Sequence, residues 1–366
     1  VSLESAIVWM VAAAVVIAVV VPYVLRFRRR IERDRERKQE AARLGIDRPS
    51  AQFPYIDSLH CVGCGACVDA CPEGDVLGVV GGTAVVINGL RCVGHGLCED
   101  ACPVAAIEVG LGDLKSRADV PLLTDDLETS VEGLLVAGEL GGLSLVRNAV
   151  AQGRRAAEYA RRRVGRGERP PAPDAVDIAI VGAGPAGISA ALTAAGAGLT
   201  YVVFEREGDL GGSLLHYPRR KMVLTRPVEL PPWGELDREE YLKEDLLRIF
   251  EGIVAAHQLR IRFGEPVQDL VRAGDAFRVQ SPSGTLAARN IVLAQGRRGL
   301  PRKLGVPGEE RPKVMYRLLD AASYRDSDIL VVGGGDSAVE AAVGLGREGG
   351  NRVTLSYRRE KLVRIK

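Results

Sequence analysis

The chain has 366 residues, of which 26% are charged and 46% hydrophobic; this excludes wholesale disorder and leaves room for two or three domains. A formal net charge of +2 argues against a nucleic-acid binder, because no overall positive field exists to recruit phosphate. All seven cysteines fall between Cys61 and Cys102, which excludes a disulfide framework spread along the chain and points to a metal site.

Residues 6–25 carry no formal charge. Twenty helical residues rise about 30 Å, the thickness of a bilayer's hydrocarbon core. Trp9 and Tyr23 stand near the two ends, where an aromatic belt would place them. A cleaved signal peptide has a basic start and a shorter apolar stretch, whereas here Glu4 precedes the block and Arg26, Arg28, Arg29 and Arg30 follow it. The expectation is a retained, single-pass membrane helix, with membrane lipid as a partner and the bulk of the chain facing the cytoplasm. The later run IERDRERKQE interleaves acids with bases and reads as a solvated juxtamembrane helix, closing a first segment of residues 1–48.

Next, Cys61, Cys64, Cys67 and Cys71, followed by Pro72, have the spacing C-x2-C-x2-C-x3-C-P of cubane iron–sulfur sites. Structural zinc is the alternative, but it usually takes two separated C-x2-C pairs. A second copy runs through Cys92, His95, Cys98, Cys102 and Pro103, with histidine in the second ligand slot. Between the copies, VLGVVGGTAVVI predicts a hairpin turning at Gly-Gly. The region 49–112 resembles a two-cluster bacterial ferredoxin. On that pattern one 4Fe-4S cluster takes Cys61, Cys64, Cys67 and Cys102, and the other Cys71, Cys92 and Cys98. Two readings of His95 stay open: an imidazole ligand that raises the second cluster's potential, or a bystander beside a three-iron cluster. His60, His216 and His257 lie in no comparable motif.

After a Pro-rich stretch at residues 169–173, an apolar strand leads into Gly182, Gly184, Pro185, Ala186 and Gly187 and then an Ala-rich helix. Strand, glycine turn and helix in that order make a dinucleotide fingerprint, with the pyrophosphate at the helix N-terminus. The next strand, TYVVFE, ends in Glu205, placed to bond a ribose hydroxyl. A second fingerprint comprises Gly333, Gly335, Asp336, Ser337 and Ala338. Its following strand, RVTLSY, ends before Arg358 and Arg359, where arginine suits a 2′-phosphate and favours NADP over NAD.

Two fingerprints in one chain mark the two-dinucleotide flavoproteins, and the region from about residue 177 onward resembles the thioredoxin-reductase-like family. Gly212 and Ser213, the strand NIVLAQG ending in Gly296, the run VPGE and the motif GGGDSA carry the resemblance. It implies FAD in the first site and NADP(H) in the second, in domains spanning 174–300 and 301–366. It also implies a C-x2-C pair near the second domain, but no cysteine follows Cys102. The earlier run LETSVEGLLVAGE, ending in Gly138 and Glu139, resembles the same family's closing FAD motif. Residues 113–173 therefore read as a permuted FAD-domain segment and linker, with Glu139 facing the ribityl chain. Only seven residues follow Arg359, about half a sheet for the second nucleotide domain, as expected of a truncated product.

The expected fold class is α/β: two Rossmann-like dinucleotide-binding domains, the second incomplete, with a ferredoxin-like α+β domain and one N-terminal transmembrane helix. The expected function is a membrane-anchored oxidoreductase passing electrons between NADPH, FAD and two 4Fe-4S clusters. A redox partner protein or quinone is expected as acceptor or donor, with a second copy of the chain also among the partners. The alternatives are a low-molecular-weight disulfide reductase and a non-catalytic relay or sensing subunit. No side chain is singled out as a nucleophile or general base.

Overall fold

The chain divides into a unit of residues 1–112 with 359–366 and a unit of residues 113–358. The computed structural model describes residues 3–46, 52–111, 120–142, 145–165, 175–296, 301, 303–358 and 362. The Pro-rich stretch 169–173 and Arg359 lie outside the described residues.

In the first unit, helix α1 (Leu3–Leu44) precedes β1 (Gln52–Ile56), the single turn α2 (Ala66–Asp69), β2 (Leu77–Val80), β3 (Thr83–Val86), a second single turn α3 (Leu97–Asp100) and β4 (Ile107–Leu111). β1 and β4 pair antiparallel, joining the two ends of the cysteine region, while β2 and β3 form the expected hairpin through Gly81 and Gly82. The halves mirror each other: α2 and α3 each start after a left-handed glycine, Gly65 or Gly96, and each buries one cysteine, Cys67 or Cys98.

The structure corrects the expectation for α1. Among the described residues no helix is long and apolar enough to cross a membrane. The expected placement as a single-pass membrane protein is overturned with it. The charged half of α1 is solvated over most of its surface but docks along one face. Asp34 is buried and accepts the Val79 N–H of β2 (3.1 Å). Arg37 pairs with Asp34 and Asp75, and Arg30 with Asp69. Ala41 and Ile46 pack against Ile87. Among these charged residues Asp34 reaches the open edge of a hairpin, where an unpaired N–H needs an acceptor.

The second unit is built on one sheet. Its elements are β5 (Leu134–Val136), α4 (Val146–Val164), β6 (Val176–Val181), α5 (Pro185–Gly196), β7 (Tyr201–Phe204), β8 (Met222–Leu224), β9 (Val228–Leu230), β10 (Gly234–Leu236), β11 (Glu240–Leu242), α6 (Lys243–Ala256), β12 (Ile261–Arg262), β13 (Asp269–Ala273), β14 (Ala276–Ser281), β15 (Gly284–Leu293), β16 (Asp328–Val332), α7 (Asp336–Arg347) and β17 (Arg352–Ser356). Strands β12, β7, β6, β15 and β5 lie side by side and parallel, and β14 and β13 extend antiparallel from the first half of β15. β8 pairs with β11 and β9 with β10 in two small ribbons, and β16 pairs parallel with β17 in a separate two-stranded sheet.

The register shows how tightly β5 belongs to this sheet. Leu135, Val292, Ile180 and Val203 form one cross-strand row over four strands, all fully buried on the face covered by α4 and α5. Ala179, Val202 and Ile291 point the other way into a second cluster with Phe204 and Phe277. A parallel strand covered on both faces must be apolar throughout, which is why DIAIV and YVVF read as runs without alternation.

Candidate functional site

Two cavities in the first unit sort the ligand candidates. One is lined by Cys61, Cys64, Cys67 and Cys102, and the other by Cys71, Cys92, His95 and Cys98. The fourth cysteine of each motif therefore stands with the first three positions of the other, as the crossed pattern requires. Backbone amides already point at sulfur: Ala84 N–H donates to Cys61 Sγ (3.3 Å) and Ala106 N–H to Cys102 Sγ (3.2 Å). Such donors stabilise the negative charge of a bound cluster. Burial, then the neighbouring Cys71 and Cys92 sulfurs, push the Cys98 thiol up to about 12. Burial likewise raises Cys67 and Cys71. Metal binding takes the thiolate form, so it displaces these protons. Zinc needs ligands about 2.3 Å from one point, and among the described residues no group of three or more His, Cys, Asp or Glu is gathered to hold a single ion. Sulfur donors around a cavity, with N–H groups behind them, fit an iron–sulfur cluster.

In the second unit the sequence-predicted residues converge on the β6–α5 turn. The apolar strand stops at Gly182, Gly184 caps α5, and Pro185 takes the first helical position, where its missing N–H costs nothing. Gly187 packs so closely on the turn that a Cβ would collide with the Gly182 carbonyl oxygen. Gly212 approaches Gly184, where a Cβ on Gly212 would stand 3.2 Å from the Gly184 Cα. A Cβ on Gly296 would stand 3.7 Å from Ser213 Oγ, and one on Gly138 would stand 3.2 Å from the Ala186 methyl. Gly138, Gly212, Ser213 and Gly296 thus surround the helix N-terminus, leaving backbone and one hydroxyl rather than bulky side chains. That cradle fits a dinucleotide pyrophosphate. Glu205 is buried at the end of β7; its carboxylate accepts from Ala183 N–H (2.6 Å) and Glu207 N–H (3.0 Å). In this structure it fixes the turn.

Sequence reasoning missed three side chains here. Gln152 of α4 holds the Gly138 loop by accepting its N–H (2.7 Å). Ser189 of α5 donates to Val150 O (2.7 Å), binding α5 to α4. Tyr217, four residues past Ser213, is half-buried; burial raises its phenol, and the Glu139 and Glu340 carboxylates add to the shift. Its position after the Gly-Gly-Ser turn was the available signal. The closeness of Glu139 was not, since 78 residues separate them.

The second fingerprint folds as expected locally: β16, a glycine turn with Gly335 at the cap, then α7 from Asp336. Ala338 closes on the turn, standing 2.9 Å from where a Gly333 Cβ would be. Arg358 lies exposed just past β17, free of steric cover, and Ser337 is in the first turn of α7.

Residues 179–366 match the family described as pyridine nucleotide-disulphide oxidoreductase, and residues 53–103 match a 4Fe-4S dicluster domain. The chain is 32% identical over 186 residues to a ferredoxin–NADP reductase of Ignicoccus hospitalis, covering 50% of this chain and 57% of the relative. It is 35% identical over 195 residues to a thioredoxin reductase of Mycolicibacterium smegmatis, covering 50% and 56%. Among solved structures, a bacillithiol disulfide reductase from Staphylococcus aureus is 26% identical, with coverage of 51% and 58% and a TM-score of 0.47. The chain spans a little over half the length of the curated relatives it matches. Because the family match takes in both glycine fingerprints and just over half of the sequence, the chain belongs to the pyridine nucleotide-disulphide oxidoreductase family.

Proposed function

We propose that this chain is an NAD(P)H-dependent flavin oxidoreductase that exchanges electrons between a nicotinamide nucleotide and iron–sulfur clusters in its own first unit. Bound FAD would supply the conversion between two-electron and one-electron transfer, chemistry that belongs to the cofactor. The protein's part is to hold and orient. The α5 N-terminus and the Gly182–Gly187 turn would take the pyrophosphate, Glu205 the ribose, and Gly296 and Ser213 the flank of the site. Residues 120–165 would complete the FAD domain from the wrong end of the chain, with β5 as the closing strand and Glu139 toward the ribityl chain. Gly333, Gly335, Asp336, Ser337, Ala338, Arg358 and Arg359 would bind NADPH. Cys61, Cys64, Cys67 and Cys102 would hold one cluster, and Cys71, Cys92, Cys98 and His95 a second. A redox protein or quinone would take or give the electrons.

The observation that carries this reading is the convergence of Gly138, Gly184, Gly212 and Gly296 on one helix N-terminus, in a chain that also gathers four cysteines around one cavity. Anaerobic purification followed by optical titration with NADPH tests it. Flavin bleaching followed by loss of iron–sulfur absorbance is the expected result. A flavin that is reduced while the clusters stay oxidised would overturn the coupling.

A second reading, reduction of a disulfide substrate, is favoured by the thioredoxin reductases among the relatives. It leaves the cysteine cavities without a task. Turnover of such a disulfide by NADPH, undiminished when Cys61 is replaced, would favour it.

A further inference from the structure

The second cysteine cavity differs from the first at two places, and the differences are matched. Where the first cavity has Cys64, the second has His95; where the first has Val104, two residues after the last cysteine of its motif, the second has Glu73, at the same offset from Cys71. His95 and Glu73 come from different repeats, yet they meet. His95 Nε2 lies 3.1 Å from a Glu73 carboxylate oxygen, with the side chains only 8% and 12% exposed. A carboxylate can only accept, so the imidazole nitrogen facing it must carry the hydrogen. A neutral ring then has its lone pair on the other nitrogen, Nδ1, which is also buried.

We infer that Glu73 is the positioning residue for His95: it accepts the Nε2–H bond, fixes the tautomer and presents Nδ1 to the second cluster's iron. Ligating histidines are commonly oriented in this way through their second nitrogen, which also makes the ring a stronger donor. The matched replacement gives the arrangement its sense. A histidine in a cysteine slot needs an acceptor behind it, and a carboxylate beside thiolates needs a donor before it can be buried. In the first cavity, where cysteine requires neither, the equivalent place is apolar.

The inference rests on the proposal that His95 is the fourth ligand of an iron–sulfur cluster, and the experiment separates the two. The full chain, prepared anaerobically, is compared as wild type, Glu73→Val and Glu73→Gln, with each Glu73 change repeated in the His95→Cys background. Pulsed paramagnetic resonance reads imidazole-nitrogen coupling on the reduced second cluster, and a redox titration reads its potential. The wild type should show a directly bound histidine nitrogen. Glu73→Val, which installs the residue of the other site, should lose that coupling and yield a three-iron signal. Glu73→Gln keeps an accepting carbonyl, so it should retain the coupling with a raised potential. It also serves as the readout if the valine variant fails to fold. In the His95→Cys background both Glu73 variants should keep four irons. Unchanged coupling and potential in both single variants would overturn the role of Glu73 and leave His95 ligation standing. Equal cluster loss in the His95→Cys background would make Glu73 merely structural. A three-iron signal in the wild type, indifferent to His95→Ala, would remove the ligation itself.

Discussion

Gly187 and Gly153 show how much of the nucleotide site depends on missing atoms. A Cβ on Gly187 would run into the Gly182 carbonyl, and one on Gly153 of α4 into the Ala186 carbonyl of α5. Gly187→Ala and Gly153→Ala should each cost about 1–3 kcal/mol, the usual penalty of forcing atoms into a packed core, and both should lower FAD retention. Denaturant titration and flavin content after gel filtration check this; wild-type values for both variants would mean the helices can slide apart. The cysteines give a sharper test. Cys61→Ala should remove one cluster and leave the flavin spectrum intact, whereas Cys71→Ala should damage the other cluster, because Cys71 stands with Cys92 and Cys98. Loss of the first cluster in Cys71→Ala would break the crossed assignment.

At the scale of elements, β5 and α1 do what their sequences do not announce. β5 has three residues, yet Leu135 sits fully buried in the central row of the sheet. Leu135→Ala should destabilise the second unit by about 2–5 kcal/mol and release flavin, although the residue lies more than forty positions before Gly182. Calorimetry that shows no change in the second unit would place β5 outside the cooperative core. For α1 the decisive group is Asp34. Asp34→Ala leaves the Val79 N–H without its acceptor, at a cost of about 1–3 kcal/mol, and should speed hydrogen exchange at Val79. Asp34→Asn, which keeps an acceptor, should restore much of the protection. Identical exchange in all three proteins would show that α1 does not hold the hairpin.

For the whole molecule, the order of parts along the chain is the unusual feature. Strand β5 and helix α4 come before the β6–α5 turn, yet β5 pairs in the same sheet and α4 packs against α5. Sheet geometry permits this because a strand pairs with its neighbours regardless of when it is synthesised, provided direction and register agree. Nucleotide choice is the property that tests the molecule as an enzyme. NADPH should reduce the flavin faster than NADH, and Arg358→Glu should erase about tenfold of that preference, the equivalent of about 1.4 kcal/mol. Equal rates with both nucleotides in the unmutated protein would sink the assignment of Arg358.

Local chemistry was legible in the residues themselves: the cysteine spacing, both strand–glycine–helix turns and the Gly-Gly hairpin. Each is dictated by short-range backbone geometry and by ligands a few residues apart. The run ending in Gly138 and Glu139 was legible by its resemblance, but only the register of Leu135 beside Val292 put it in the sheet. The docked face of the charged half of α1 was not legible, because interleaved acids and bases satisfy a solvated helix and a docked one equally well. The choice fell to Val79, an edge amide with nowhere else to bond, and nothing in the run of Asp34 and Arg37 names that partner. Likewise His95 was visible as a departure and Glu73 was not. Pairing across two repeats is settled by how the halves close on each other, and that closure is a property of the folded chain.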